Sequence, residues 1–177
     1  MFSFIKLELD GLCLVTPQVF ADERGFFMEL YKKSEFQMNG IKEDFCQDNC
    51  SQSARNVLRG LHYQAGKYAQ GKLVRCLQGV IFDVAVDIRQ DSNTYCRWYG
   101  VILSDQNHKM LYIPAGFAHG FLTISETATV LYKTTKEYSP EADRGIIWND
   151  KILNINWGIK RPILSPKDKA HPTLQGT

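Results

Sequence analysis

The 177-residue chain has no long apolar run, no block of like charge and no cysteine pair at a metal or redox spacing. A helix that crosses a bilayer needs about 20 consecutive apolar residues; no segment approaches that, so no membrane partner is expected. Its 21 lysines and arginines, against 19 aspartates and glutamates, are scattered, for a formal net charge of +2. Nucleic-acid binding calls for a clustered basic face, so no nucleic-acid partner is expected and a small anion held by a few placed side chains fits better. The five cysteines, Cys13, Cys46, Cys50, Cys76 and Cys96, are odd in number, and Cys46 and Cys50 are too far apart for a CxxC pair. They read as reduced thiols of a cytoplasmic protein. The N-terminal Met1-Phe-Ser-Phe-Ile-Lys6 lacks the charged start, apolar run and cleavage site of a secretory leader. A Gly-rich dinucleotide loop is missing as well, so no nicotinamide cofactor is expected.

What is present is ordinary for a soluble globular protein, 44% apolar and 23% charged. The length suffices for one core without staples, and the expectation is a single domain over residues 1–177. Short apolar and β-branched runs recur at residues 4–9, 12–19, 26–31, 57–64, 73–77, 80–88, 97–103, 110–113 and 128–134. Turn signals separate them at residues 22–25, 79, 91–93, 105–107 and 114–116. Many short strands so punctuated predict an all-β sandwich or barrel. Residues 33–38 alone read as an early helix, and the segment from about residue 139 is irregular.

In the run 80–88, alternation puts Val80, Phe82, Val84 and Val86 on one face and Ile81, Asp83, Ala85 and Asp87 on the other. Periodicity alone favours solvent for the face with two carboxylates. The interior of a barrel that holds a polar ligand gives the same pattern.

Four histidines are available. His108, in a turn-like stretch, and His171, near a proline-containing tail, are expected to be exposed. His62 and His119 lie in apolar, β-like surroundings, where a satisfied structural histidine is the commoner outcome. A cupin-type metal site takes a His-x-His pair, a nearby glutamate and a later histidine. Here His62-Tyr-Gln64 supplies glutamine in the second place and no glutamate follows before Gly79. Two histidines without a carboxylate make a poor ligand set, so no metal is expected. Proton transfer suits the residues better. A histidine base needs an orienting carboxylate, an acid on the opposite face and a cation for the enolate oxygen. Tyr132, Lys72, Asp83, Asp87 and Asp168 supply the residue types, though spacing does not say which converge. Arg59 and His62 are three residues apart, so a regular strand would aim them at opposite faces. A bulge at Gly60 would bring them together.

Ordered stretches over nearly the whole chain carry a resemblance: Asp22-Glu-Arg-Gly-Phe-Phe27, Gln47-Asp-Asn49, Val57-Leu-Arg-Gly-Leu-His-Tyr-Gln64, Gln70-Gly-Lys-Leu-Val-Arg75, Ile81-Phe-Asp-Val-Ala-Val-Asp87, Ile113-Pro-Ala-Gly-Phe-Ala-His-Gly-Phe121, Leu131-Tyr-Lys-Thr134 and Leu164-Ser-Pro-Lys-Asp168. The chain resembles the dTDP-4-dehydrorhamnose 3,5-epimerases. The resemblance implies a cupin-type jelly roll with a few short helices, no cofactor, a homodimer whose N-terminal segment crosses to its partner, and a nucleotide-sugar substrate. It implies His62 as general base paired with Asp168, Tyr132 as the acid on the opposite face, and Lys72 as the enolate's cation. His119 with Asp83 is implied as a supporting pair. Arg24, Glu29, Gln47, Asn49 and Arg59 stand where the family holds the nucleotide and its diphosphate, with Phe20, Phe27, Phe121 and Tyr138 as wall or stacking residues.

The chemistry agrees. In a 4-keto sugar the hydrogens on C3 and C5 flank a carbonyl, so removal gives an enolate and return to the other face inverts the carbon. The rivals are an epimerase of C3 or C5 alone acting on a related nucleotide 4-keto-deoxysugar, a 4-keto-sugar isomerase that moves the carbonyl, a non-catalytic sugar- or nucleotide-binding cupin and a metal-dependent cupin oxygenase. Tyr132 and Asp168 oppose the isomerase, the paired acid and base oppose the binding module, and the ligand count opposes the oxygenase.

Overall fold

A computed structural model describes residues 1–176. Its strands are β1 (Phe2–Lys6), β2 (Cys13–Pro17), β3 (Phe20–Asp22), β4 (Gly25–Phe27), β5 (Gln47–Ala54), β6 (Leu58–Gln64) and β7 (Lys72–Gln78). They continue as β8 (Val80–Asp87), β9 (Trp98–Ser104), β10 (Met110–Ile113), β11 (Phe117–Thr123), β12 (Thr127–Thr134) and β13 (Asp143–Gly145). The two α-helices are short, α1 (Lys33–Met38) and α2 (Pro166–Lys169). A six-stranded sheet runs β1-β2-β10-β7-β12-β5 and faces a five-stranded sheet, β13-β6-β11-β8-β9. All strand pairs are antiparallel. This is the cupin-type jelly roll that the resemblance implies. Among the described residues no helix is long and apolar enough to cross a membrane.

Gly79 marks where the chain leaves one sheet for the other, between β7 and β8. Its φ of +82° suits glycine, and a Cβ there would meet the Thr127 carbonyl oxygen at 2.2 Å. The runs expected at 57–64, 73–77, 80–88, 97–103, 110–113 and 128–134 are all strands to within a residue or two at their ends. The first two expected runs are shorter than the apolar pattern, and the third is strand only to Phe27. Four further strands were not expected, the three-residue β3 and β13 and the longer β5 and β11. β5 is polar at all but Cys50 and Ala54, and β11 is buried at every position, so neither shows apolar–polar alternation.

Side chains between the sheets form continuous inward stripes. Val74 and Cys76 of β7, Ala128 and Val130 of β12, Leu111 and Ile113 of β10 pack against Ile81, Ala85, Leu103, Phe117 and Phe121 of the facing sheet. The carboxylate-bearing face of β8 therefore points inward, not to solvent: Asp83 and Asp87 are fully buried. The opposite face, with Val84 and Val86, is covered by the C-terminal segment through Ile146, Leu153, Trp157 and Leu174. The irregular-looking tail is thus a second layer over the five-stranded sheet, held by apolar burial worth about 1.5–3 kcal/mol for each large side chain. On the outer side of the other sheet, Phe36 of α1 packs edge-on against Phe2, Phe4 and Tyr31.

Asp87 is fully occupied by protein donors. Arg89 donates from its backbone and guanidinium at 2.7–3.0 Å, and the Ser92 and Thr94 hydroxyls each donate at 2.6 Å. Burial opposes ionisation, but these hydrogen bonds outweigh it and hold the carboxyl well below the usual carboxylate range. A depressed folded pKa stabilises the fold above the unfolded value of about 3.9, and that contribution is lost as pH falls through the folded value. Asp87→Ala should cost about 3 kcal/mol in urea unfolding at pH 7, the low end for a broken buried ion pair, because Arg89 is 30% exposed and keeps a route to water. The gap from wild type should narrow in the same titration below pH ~3.

Candidate active site

The polar ends of the inward stripes meet in a cavity of about 320 Å³. β7 continues from Val74 to Lys72, β12 from Val130 to Tyr132, and β11 presents His119 and Phe121. β5 lines the cavity with Gln47, Asn49 and Ser51, the alternate residues of a strand whose outer face is exposed.

The bulge in β6 decides what enters from the five-stranded sheet. His62 pairs with His119 and Arg59 with Phe121, so three residues of β6 span two of β11. The extra residue turns Arg59 and His62 to the same side, and both line the cavity. Gly60 has φ +128°, and a Cβ there would sit 2.6 Å from the Gly120 Cα. No other residue fits.

His62 Nε2 lies 2.5 Å from Asp168 Oδ1. With the proton on Nε2, the lone pair is on Nδ1, and the carboxylate fixes that tautomer. Asp168 reaches this point from the covering tail. Ser165 caps α2 by accepting a hydrogen bond from the Asp168 backbone N–H at 3.0 Å, and Pro166 starts the helix. Burial raises the Asp168 pKa, but hydrogen bonding and charge from His62 dominate and keep the carboxyl below its ordinary range.

Across the cavity Lys72 is buried, and burial lowers its ammonium pKa to about 8 against the opposing pull of Asp83 and Asp143. Its Nζ lies 5.9 Å from the centre of the Tyr132 ring. Burial also pushes the Tyr132 hydroxyl up, with Arg59 partly countering, so the phenol is protonated at neutral pH. His119 Nε2 is 2.8 Å from Asp83 Oδ1. Burial holds this imidazole down against the opposing charge and hydrogen bond of Asp83, and the nearby Lys72 and His62 add to the lowering.

Ten of the expected residues converge on the cavity: His62, Asp168, Lys72, Tyr132, Gln47, Asn49, Arg59, His119, Phe121 and Tyr138. Asp83 stands behind His119. Arg24, Glu29, Phe20 and Phe27 do not reach it within the chain. They belong to or follow the β3–β4 hairpin, which pairs with no other strand and is exposed throughout. Arg24 is bonded to Asp22 there, and Glu29 faces the N-terminal amine.

Three titratable residues that were not expected also stand at or behind the site, Asp143, Lys167 and His171. Asp143 accepts from the Tyr138 hydroxyl at 2.8 Å and pairs with Lys167, which also lines the cavity. His171 is not exposed as expected. Its side chain is only 7% accessible and its Nε2 lies 3.5 Å from Asp168 Oδ1, because the tail folds back over β6. One signal was present in the sequence: Ser165-Pro-Lys-Asp168 reads as a helix start, which sets His171 about one turn past Asp168. His108 does occupy a turn, with φ +53°, but is half-buried, its ring 5.2 Å from that of Phe26. A cupin-type metal does not fit the inherited positions. Gln64 accepts a hydrogen bond from the Ser139 backbone, and His119 is committed to Asp83.

A jelly roll with a carboxylate-paired imidazole on one sheet and a protonated phenol and buried ammonium on the other carries the groups of an acid–base isomerase. The family model for dTDP-4-dehydrorhamnose 3,5-epimerase matches residues 6–176. The chain is 52% identical to the dTDP-4-dehydrorhamnose 3,5-epimerase of Salmonella typhimurium, over 98% of this chain and 96% of that protein. It superposes on the Bacillus anthracis dTDP-4-dehydrorhamnose 3,5-epimerase solved with TDP and PPi bound, with a TM-score of 0.96, 44% identity and coverage of 98% and 99%. The Legionella pneumophila dTDP-6-deoxy-D-glucose-3,5-epimerase solved with dTDP-4-keto-L-rhamnose gives a TM-score of 0.95, 45% identity and coverage of 99% and 94%. The chain belongs to the dTDP-4-dehydrorhamnose 3,5-epimerase family, isomerases acting on a sugar nucleotide.

The Lys72 value has a direct check. NMR of ¹³C-labelled lysine should show one ammonium titrating at about 8, assigned by its loss in Lys72→Met. Asp83→Asn removes a charge that favours the ammonium, so the same resonance should titrate lower still.

Proposed function

We propose that the chain converts dTDP-4-dehydro-6-deoxy-D-glucose into dTDP-4-dehydro-L-rhamnose by inverting C3 and C5 in turn. The observation that carries this is the placement of His62 and Tyr132 on facing sheets across one cavity, since inversion needs the proton to leave from one face and return to the other. His62 Nδ1 removes the proton on the carbon beside the carbonyl, and Asp168 stabilises the imidazolium. The electron pair moves onto the C4 oxygen, where the Lys72 ammonium stabilises the enolate. The Tyr132 hydroxyl then gives a proton to the opposite face. Each inversion leaves His62 protonated and Tyr132 ionised, so both exchange protons with solvent before the second carbon reacts. Arg59, Gln47 and Asn49 hold the nucleotide end. Tyr138, tied to Asp143, is one wall.

Arg24, Phe20, Phe27 and Glu29 join a site only if the exposed hairpin docks on a second copy, so we read the functional unit as a homodimer. The hairpin exposes Phe20, Phe26 and Phe27 at 52–66%, an apolar patch that a monomer seldom presents. Five unpaired cysteines and a nucleotide-sugar substrate support a cytoplasmic setting.

NMR of the nucleotide 4-keto sugar in D₂O tests the chemistry. Deuterium should enter at both C3 and C5; entry at one carbon alone would assign a mono-epimerase, and none at either would remove the reading. His62→Ala should lower exchange at both carbons by about 10³-fold, within the range for general-base catalysis, with nucleotide binding nearly intact. Tyr132→Phe should retain deprotonation better than completed inversion, which separates base from acid.

The dimer has its own check. Sedimentation should give a two-chain mass, and Arg24→Ala should raise KM for the nucleotide sugar by roughly 10-fold or more, the worth of one hydrogen bond to a charged group. An unchanged KM would leave Arg24 outside the site.

A further inference from the structure

We infer that His62, Asp168 and His171 form a transition-metal site, and that an ion such as Zn²⁺ held there switches the enzyme off. One donor atom from each residue lies within 4.8 Å of the others. Two imidazole nitrogens and one carboxylate oxygen are the donor types of Zn²⁺, Co²⁺ and Ni²⁺ sites, and differ from the all-oxygen sets of Mg²⁺ and Ca²⁺.

Three features single this cluster out. The His171 side chain is 7% exposed, yet its Nε2 has no hydrogen-bond partner and points at Asp168 Oδ1 from 3.5 Å. A buried imidazole nitrogen without a partner is costly unless something binds it. The ring also occupies a slot made for it. A Cβ at Gly145 would meet His171 Cε1, Nε2 and Cδ2 at 2.3–2.6 Å, so only glycine leaves room. Finally, the cluster opens on the cavity through His62, which leaves a side for water as a further ligand.

Tetrahedral zinc places ligand atoms about 2.0–2.1 Å from the ion and hence roughly 3.3 Å from each other. The His171–Asp168 separation already suits this. The His62–Asp168 pair, at 2.5 Å, must part by somewhat under 1 Å, a movement that the one-third exposed His62 ring can make. The metal takes the place of the proton on His62 Nε2, and the neutral imidazole then carries its proton on Nδ1, which fills the lone pair the base would use. That removes the tautomer-fixing hydrogen bond and leaves the imidazole without its carboxylate support. The inhibition half of the proposal rests on His62 being the base; the binding half does not.

Co²⁺ serves as the probe, titrated into the purified, untagged chain and followed by visible absorption and calorimetry. One ion per chain with a tetrahedral visible band and no thiolate charge-transfer band is expected. His171→Asn should weaken binding on the order of 100-fold, at or beyond the upper end for loss of a supporting residue. Gly145→Ala, which keeps all three ligands but closes the slot, should weaken it as well. No stoichiometric binding, a thiolate band, or binding unaffected by both variants would each overturn the site. Turnover by the wild type should fall in proportion to bound Co²⁺ or Zn²⁺ and return with a chelator, and full activity at full occupancy would overturn the switch. Should the chain lack epimerase activity altogether, the spectra and calorimetry still decide the site.

Discussion

The pairing of β6 with β11 is the constraint on which the site depends. One extra residue in β6 brings Arg59 and His62 onto the face that β11 already presents through His119 and Phe121. Four cavity residues from two neighbouring strands thereby share one wall. The cost lies in two glycines, Gly60 and Gly120, whose backbones approach too closely for any side chain. Without the bulge, either His62 or Arg59 would point into the covering layer of Ile146, Leu153 and Trp157.

On the opposite wall the one register shift between β12 and β7 lies at the apolar end, at Thr129/Val130, and not at the site. On β7 and β12 the inward positions run Cys76, Val74, Lys72 and Ala128, Val130, Tyr132, so regular alternation carries the core stripe directly into the site. The apolar end packs the sandwich. The polar end meets the substrate cavity, where an ammonium can be buried because Asp83 and Asp143 lie near. Burial still dominates, so the Lys72 charge is held with little margin at neutral pH. That same setting suits the role proposed for it, since a cation already stripped of water needs no reorganisation to meet an enolate.

These two walls explain what the sequence revealed and what it hid. His62, Tyr132, Lys72 and Asp168 were legible because each lies in a motif that matches the family, and the Arg59–Gly60–His62 spacing made the bulge legible from strand geometry alone. The inward face of β8 was misread because alternation separates two faces without saying which is inside. The carboxylates turned inward once Arg89, Ser92, Thr94 and His119 met them, and those partners are distant in register or lie in a loop. β5 was invisible for the same reason, as its inward residues face a polar cavity rather than a core. His171 was hidden because burial in an irregular tail depends on where the tail folds.

That tail ties catalysis to packing. Asp168 orients His62, yet it belongs to neither sheet. It is held by the Ser165 cap and by the layer in which Leu164, Trp157 and Leu174 cover β8 and β6. A carboxylate placed by a separate layer is only as well aimed as that layer is packed. Catalytic geometry is more demanding than folding, because a misplacement of about 1 Å can cost about 10²-fold in rate. The buried apolar residues of the tail therefore act on the His62–Asp168 geometry without entering the cavity. Loosening them would release Asp168 from His62 before it unfolded either sheet, since the sheets keep their own interior cluster between them.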